Sequence, residues 1–414
     1  MRTRRGVSAL AVLTVGASAL NYGSNLVFSR LLDPVGFGEL TALLALAVIV
    51  VVPTAAAQTV IAERITTYVS AGDLARARYF VRHAIAHVTV IACVVGAVYA
   101  ACIPLIVSAF NLRQPGPAVA LGLFIVLAFL QPVALGVLQG MERFAAFGTM
   151  QLAVAVSRIA FGVPWVLAGG GAGGAIAGQA FGVAVVLVGT AWLLRDLVLS
   201  RGSGAATAGL RRRPDVRTIH ASTAFVAFAV LSNFDLLLAT LFLPPEEVGM
   251  YAAIATVGKL VMFLPMAISV ILVPDATKSR GSVAEQRQVL RRSALLVFVT
   301  AGAAALPAVV APSLLVRVMF GPGYEDATGG VLPIVIAGAA LSMLYLLVVY
   351  AVTISDRRWT MVLALGVGLQ VIGIATFHDS PVQVATVQAA VTIIVLAVNE
   401  SWFHAILRRP RPSA

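Results

Sequence analysis

The chain has 414 residues, of which 60% are apolar and only 11% charged, with a mean hydropathy of +0.97. A soluble domain carries about 25% charged residues, so composition excludes one and predicts an all-α integral membrane protein. The net charge of +12 does not indicate a nucleic-acid partner, because the basic residues sit in loops at alternate span ends.

Arg2, Arg4 and Arg5 precede an apolar run that passes a signal-like Ala17-Ser18-Ala19 and continues to Phe28. That length reads as a first span, with a cleaved signal as the alternative. Apolar runs predict twelve spans, near 6–29, 37–61, 85–110, 118–140, 147–168, 174–194, 219–243, 250–274, 294–319, 329–353, 359–377 and 384–406. With the N-terminus cytoplasmic, 24 of the 29 Lys and Arg residues fall in inner segments and three (Arg30, Arg113, Arg317) at outer ends. That bias fixes a multi-pass orientation in a plasma (inner) membrane, both termini cytoplasmic.

Span one carries Ser18, Asn21, Asn25 and Ser29, whose spacings of 3, 4 and 4 put them on one helix face. They line either a polar cavity or a helix–helix hydrogen-bond seam. Arg30 follows, to line an exit or to pair with Asp33. The segment 64–87, with Arg76, Arg78 and Arg82, reads as an amphipathic helix on an anionic inner leaflet. His83 and His87 are four apart but lack the glutamate of a zinc motif. Cys93 and Cys102, nine residues apart, fall on opposite helix faces, so neither a disulfide nor a metal site is expected.

Span five carries Gln151, Arg158 and Trp165 at intervals of seven. Arg158 keeps its proton at any depth. It meets either an internal carboxylate such as Asp235 or a substrate phosphate. Trp165 is either a sugar-stacking ring or an interfacial aromatic. Residues 196–218, rich in Gly, Ser, Ala and Arg, read as a cytoplasmic linker. Span seven is apolar but for Ser232-Asn233-Phe234-Asp235. An aspartate there costs roughly 2.5–3.5 kcal/mol near the bilayer centre. Asp235, beside Asn233, is either a counter-ion for Arg158 or Lys259 or the proton or sodium site that couples transport. Lys259 either snorkels outward or joins Arg158 in a cationic cleft. Glu63 and Glu400 read as exposed or locally paired near the inner face. Pro53, Pro132, Pro164, Pro265, Pro307 and Pro333 interrupt spans, as hinges or as static kinks.

The halves look alike. Asp33-Pro34-Val35-Gly36-Phe37-Gly38 opens span two and Pro244-Pro245-Glu246-Glu247-Val248-Gly249-Met250-Tyr251 opens span eight. Six spans per half make the repeats parallel. The domain reading is therefore 1–195 for one six-helix bundle, 196–218 for the linker, 219–407 for the second bundle, and 408–414 for a basic tail.

Leu138-Gln139-Gly140-Met141-Glu142-Arg143-Phe144 resembles the end of span four in oligosaccharide-lipid flippases. Asp33-Pro34 with Phe37-Gly38 resembles that family's first outer turn, and Val248-Gly249-Met250-Tyr251 its second-half counterpart. Met319-Phe320-Gly321-Pro322-Gly323-Tyr324-Glu325-Asp326-Ala327 is similar to its turn after span nine. The superfamily holds multidrug, oligosaccharidyl-lipid and polysaccharide exporters. The resemblance implies two six-helix bundles facing each other across a central cleft, with alternating access. Lipid II flippases of that superfamily carry two further C-terminal helices that this sequence does not reach.

A sugar phosphate cannot cross hydrocarbon unaided, because unpaired hydroxyls cost several kcal/mol each and a charge far more. The resemblance implies flipping of a polyprenyl-phosphate-linked saccharide to the outer leaflet for cell-envelope glycan assembly as the expected activity. Membrane lipids surround the chain, and glycan-assembly enzymes are candidate partners. No cofactor is expected beyond coupling H+ or Na+. A cation-coupled multidrug exporter is the alternative; a cleft for cationic drugs should be acidic or aromatic, whereas this one reads as basic. An enzyme such as a glycan ligase would need a sizeable outer loop, and every predicted outer loop is short.

Overall fold

In the computed structural model, residues 2–195, 216–278, 283–354 and 358–403 are described. Most of the expected linker and all of the expected basic tail lie outside them. Every element among the described residues is helical. Nine segments among them are long and apolar enough to cross a bilayer, one of them a 50-residue stretch, Phe144–Leu193, made of two helices and a turn. The chain is a multi-pass membrane protein. It divides at Ser222/Thr223 into two compact units.

The first unit opens with α1 (Arg2–Leu31). The second expected span is two helices, α2 (Pro34–Val51) and α3 (Thr54–Ser70), separated at Val52-Pro53. Asp33 caps α2: its Oδ1 accepts from the Gly36 amide at 3.0 Å. A Cβ on Gly36 would press on that same oxygen, so the glycine of the first-turn motif is required by the cap. The expected amphipathic helix is not a separate element. α4 (Leu74–Ala109) runs unbroken for 36 residues, about 54 Å at 1.5 Å per residue, so the basic segment continues directly into span three. No glycine or proline falls between Leu74 and Val95 to end it.

α5 (Gly116–Gly140) is the hub of this unit, packed by α2, α3, α4 and α7. Gly136 and Gly140, four apart, lie against the Gln58 and Ala62 carbonyls of α3 with no space for a side chain. The Thr66 hydroxyl adds a 3.1 Å bond to the Gly140 carbonyl. The "QG" motif is thus a small-residue helix crossing. Glu142 then turns the chain with φ 54°, a left-handed helix end usually given to glycine. α6 (Phe144–Trp165) and α7 (Gly171–Leu193) meet through a π-turn, Val166–Gly170. α1 lies along α6.

The second unit holds most of α8 (Val216–Leu231), then α9 (Phe234–Phe242), α10 (Pro245–Lys278), α11 (Val283–Val310), α12 (Pro312–Phe320), a 3-10 turn (Glu325–Gly330), α13 (Val331–Ile354), α14 (Arg358–Thr376) and α15 (Pro381–Phe403). α13 is its hub, against α10, α11 and α15. The core gathers Leu231, Leu344, Leu347, Leu363 and Trp359. In the turn after α12, Gly321 and Gly323 have φ of 91° and 102°, while Phe320 and Tyr324 are buried with ring centroids 5.7 Å apart. The two glycines permit the reversal and the two rings anchor it.

The prolines behave less uniformly than expected. Pro53 separates two helices, but Pro132, Pro164 and Pro307 lie inside α5, α6 and α11 and Pro265 inside α10. Neighbouring helices re-satisfy the freed carbonyls, so a membrane helix bends at proline without ending.

Candidate functional site

Among the described residues each unit has a cation inside a span, Arg158 buried and Lys259 half-buried, and in both the ligand is an amide oxygen. In the first unit Arg158 of α6 is 5% exposed. Its Nη1 donates to Asn21 Oδ1 at 2.7 Å and to the Asn21 carbonyl at 3.2 Å, and its Nη2 donates to Asn25 Oδ1 at 2.8 Å. The guanidinium also lies 5.7 Å from the centroid of the Phe28 ring. Among the described residues no carboxylate pairs with it. The expected row on span one resolves into two roles. Asn21 and Asn25, one turn apart, receive Arg158, whereas the Ser18 and Ser29 hydroxyls bond back to the Thr14 and Leu26 carbonyls.

The interval of seven on span five does not bring its three residues into one environment. Arg158 is buried and Gln151 half-buried, while Trp165 is 45% exposed beside Phe181, whose ring packs edge-on against Phe161. α1 follows α6 as far as Gly162, which lies against the Phe28 ring, while Pro164 and Trp165 beyond it are exposed. Arg30 is exposed. The partner given to Asp33 is Arg113, 80 residues away, through Nη2 to Oδ2 at 2.7 Å. The Arg113 amide donates to Glu39 Oε1 at 2.8 Å. Partial burial opposes ionisation of Asp33, but the Arg113 side chain, the Gly36 amide and the Arg113 charge outweigh it. They hold the carboxyl below its ordinary range.

In the second unit the Ser232-Asn233 insert breaks span seven into α8 and α9. Lys259 of α10 donates through Nζ to Asn233 Oδ1 at 2.9 Å. Asn233 spends its own amide hydrogens on the Ala229 carbonyl and the Ser232 hydroxyl, at 2.9 and 3.1 Å. Asp235, 3% exposed, accepts a 2.6 Å bond from the Tyr251 hydroxyl at Oδ2, and its Oδ1 has no hydrogen-bond partner. Asp235 and Lys259 line one small cavity with Ser232, Gly258 and Gln388, but no direct ion pair joins them among the described residues.

Sequence reasoning missed two residues here. Gln370 of α14 and Gln388 of α15, both buried, donate to the Leu231 carbonyl at 3.2 and 3.0 Å, and Gln370 also donates to Gln388. Gln370 Oε1 is left without a partner. Their signal was available: Gln370 is the lone amide of its apolar span, and Gln388 shares its span with Asn399.

No protein-family profile matches the chain, and no curated protein does. Solved structures do. An inward-facing multidrug resistance transporter of the MATE family, in the MOP superfamily, superposes with TM-score 0.72 at 12% identity, covering 95% of this chain and 98% of that one. The lipid II flippase MurJ in an inward closed conformation gives TM-score 0.72 at 9% identity, covering 95% and 87%. A MOP superfamily transporter from Pyrococcus furiosus, described as having reversed binding-pocket polarity, gives 0.58 at 14% identity, covering 98% and 97%. At these identities the likeness is one of architecture: this chain has an all-helical, two-lobed, twelve-helix membrane fold and superposes on these transporters over 95% or more of its length.

Proposed function

We propose that the protein is a transporter that flips a polyprenyl-phosphate-linked saccharide from the cytoplasmic to the outer leaflet by alternating access, serving cell-envelope glycan assembly. The observation that carries this reading is the Arg158 site. Its charge is met by neutral amide oxygens and not by a carboxylate, so its positive charge is not cancelled locally. Such a site attracts an anion and repels a cation. The fold supports the reading because MurJ, a lipid II flippase, is among the neighbours.

Asp235 is proposed as the coupling group for H+ or Na+. A carboxylate oxygen without a partner, beside Lys259 in a small cavity, is an acceptor held ready for a proton or a small cation. The second reading is a cation-coupled multidrug exporter, favoured by the MATE neighbour.

Lipid mass spectrometry on a depletion strain separates the two. Accumulation of a polyprenyl-linked saccharide supports the flippase and names its cargo. An unchanged lipid-linked pool together with new drug sensitivity establishes the exporter instead.

A further inference from the structure

We propose that Arg158 does not itself grip the substrate anion but is a positioning residue, and that the anion is bound by the side-chain amide donors of Asn21 and Asn25. This rests on the reading above and deepens it. Arginine has only donors, so an asparagine facing it must present Oδ1. Arg158 engages both Oδ1 atoms through separate nitrogens, 2.7 and 2.8 Å away. Each Nδ2 is therefore turned away from the guanidinium. Among the described residues neither Nδ2 of this pair has a hydrogen-bond partner, and Asn21 is exposed while Arg158 is buried behind it.

The second unit makes the contrast. There Lys259 also holds an asparagine by its Oδ1, but Asn233 spends both amide hydrogens on protein oxygens. That node is closed, whereas the Arg158 node ends in up to four N–H bonds from two amides one helical turn apart. Two amides so spaced suit the oxygens of a phosphoryl group, and the guanidinium behind them adds its field without touching the ligand. Neutral donors also suit a carrier, because they release an anion more readily than a direct bidentate arginine pair.

The test is binding of decaprenyl phosphate, with uncharged decaprenol as the reference, to the purified full chain in detergent. Asn21→Ala removes one donor amide but leaves Arg158 two acceptors, the residue-21 carbonyl and Asn25 Oδ1. It should weaken decaprenyl phosphate binding about tenfold or more, the range for a hydrogen bond to a charged group, with little change in the unfolding midpoint. Asn21→Gln should recover most of that loss. Arg158→Lys keeps the cation but not the two-point hold, and should weaken binding comparably. If Arg158 contacts phosphate directly, Asn21→Ala will bind as wild type does, and the inference fails while the flippase reading stands. If wild type does not prefer decaprenyl phosphate to decaprenol, the flippase reading fails first.

Discussion

Tyr251 and Asp235 are joined by a 2.6 Å hydrogen bond that ties α10 to α9 across the turn at Pro244-Pro245. The tyrosine of the second-half turn motif and the intramembrane aspartate are thus one feature. Tyr251→Phe removes the side-chain donor to Asp235 Oδ2, beside an Oδ1 that already lacks a partner. A cost of about 1–3 kcal/mol is expected, the range for leaving a buried polar group unsatisfied. Thermal unfolding in detergent measures it. In a double-mutant cycle with Asp235→Asn, the two losses should add to more than the double variant shows.

Lys259→Met should be destabilising, because Asn233 Oδ1 would be left buried without its donor. Lys259→Met combined with Asn233→Leu should be less harmful than Lys259→Met alone, since both polar partners of the contact are then gone. An additive result would show that the contact contributes nothing to stability.

The close helix crossings make a third prediction. A Cβ on Gly178 would collide with Gly162, and one on Gly338 would collide with the Gly258 backbone. Gly338→Val should force α13 off α10, with a loss of several kcal/mol or failure to accumulate. Gly302→Val, where a side chain meets open space, is the control and should express normally.

The Asp33–Arg113 pair predicts a pH dependence with a definite sign. The carboxyl of Asp33 is depressed in the folded chain. Its contribution is therefore present above the ordinary aspartate pKa and is lost as pH falls through the folded value. About half of each side chain is exposed, so the effect is at most about 1 kcal/mol. The stability gap between wild type and Arg113→Gln should be present at pH 7 and close in the acid range. A gap that persists at acid pH would assign the effect to packing.

At Glu142, φ of 54° places a β-carbon in the left-handed region. Glu142→Gly should relieve it and raise the unfolding midpoint by an amount worth at most about 1 kcal/mol. Unchanged transport in that variant would show that the acidic residue of the "QG" motif serves the turn alone.

The helical spans and the buried ionisable groups were legible because hydropathy and charge are local properties of a chain. Asn21 and Asn25 were readable as a row for the same reason: their spacing is set by the helix. Their partner was not, because Arg158 lies more than 130 positions away and only tertiary packing decides which helix α1 lies along. Asp33 misled similarly, since Arg30 was near in sequence while Arg113 is the partner across a turn. The intervals of seven through Gln151, Arg158 and Trp165 carried no information on burial, which runs from half-buried to buried to exposed along them because packing by other helices sets it.

The carbonyl of Leu231 sits where α8 stops, and two glutamines from α14 and α15 hold it. In an unbroken helix that oxygen would accept from the amide four residues on. Closing the break would therefore exchange two side-chain bonds for one backbone bond and leave the buried Gln388 amide without its acceptor. The break in this segment is latched by two neighbouring helices, so any motion that closes it has to break their hold or carry α14 and α15 along.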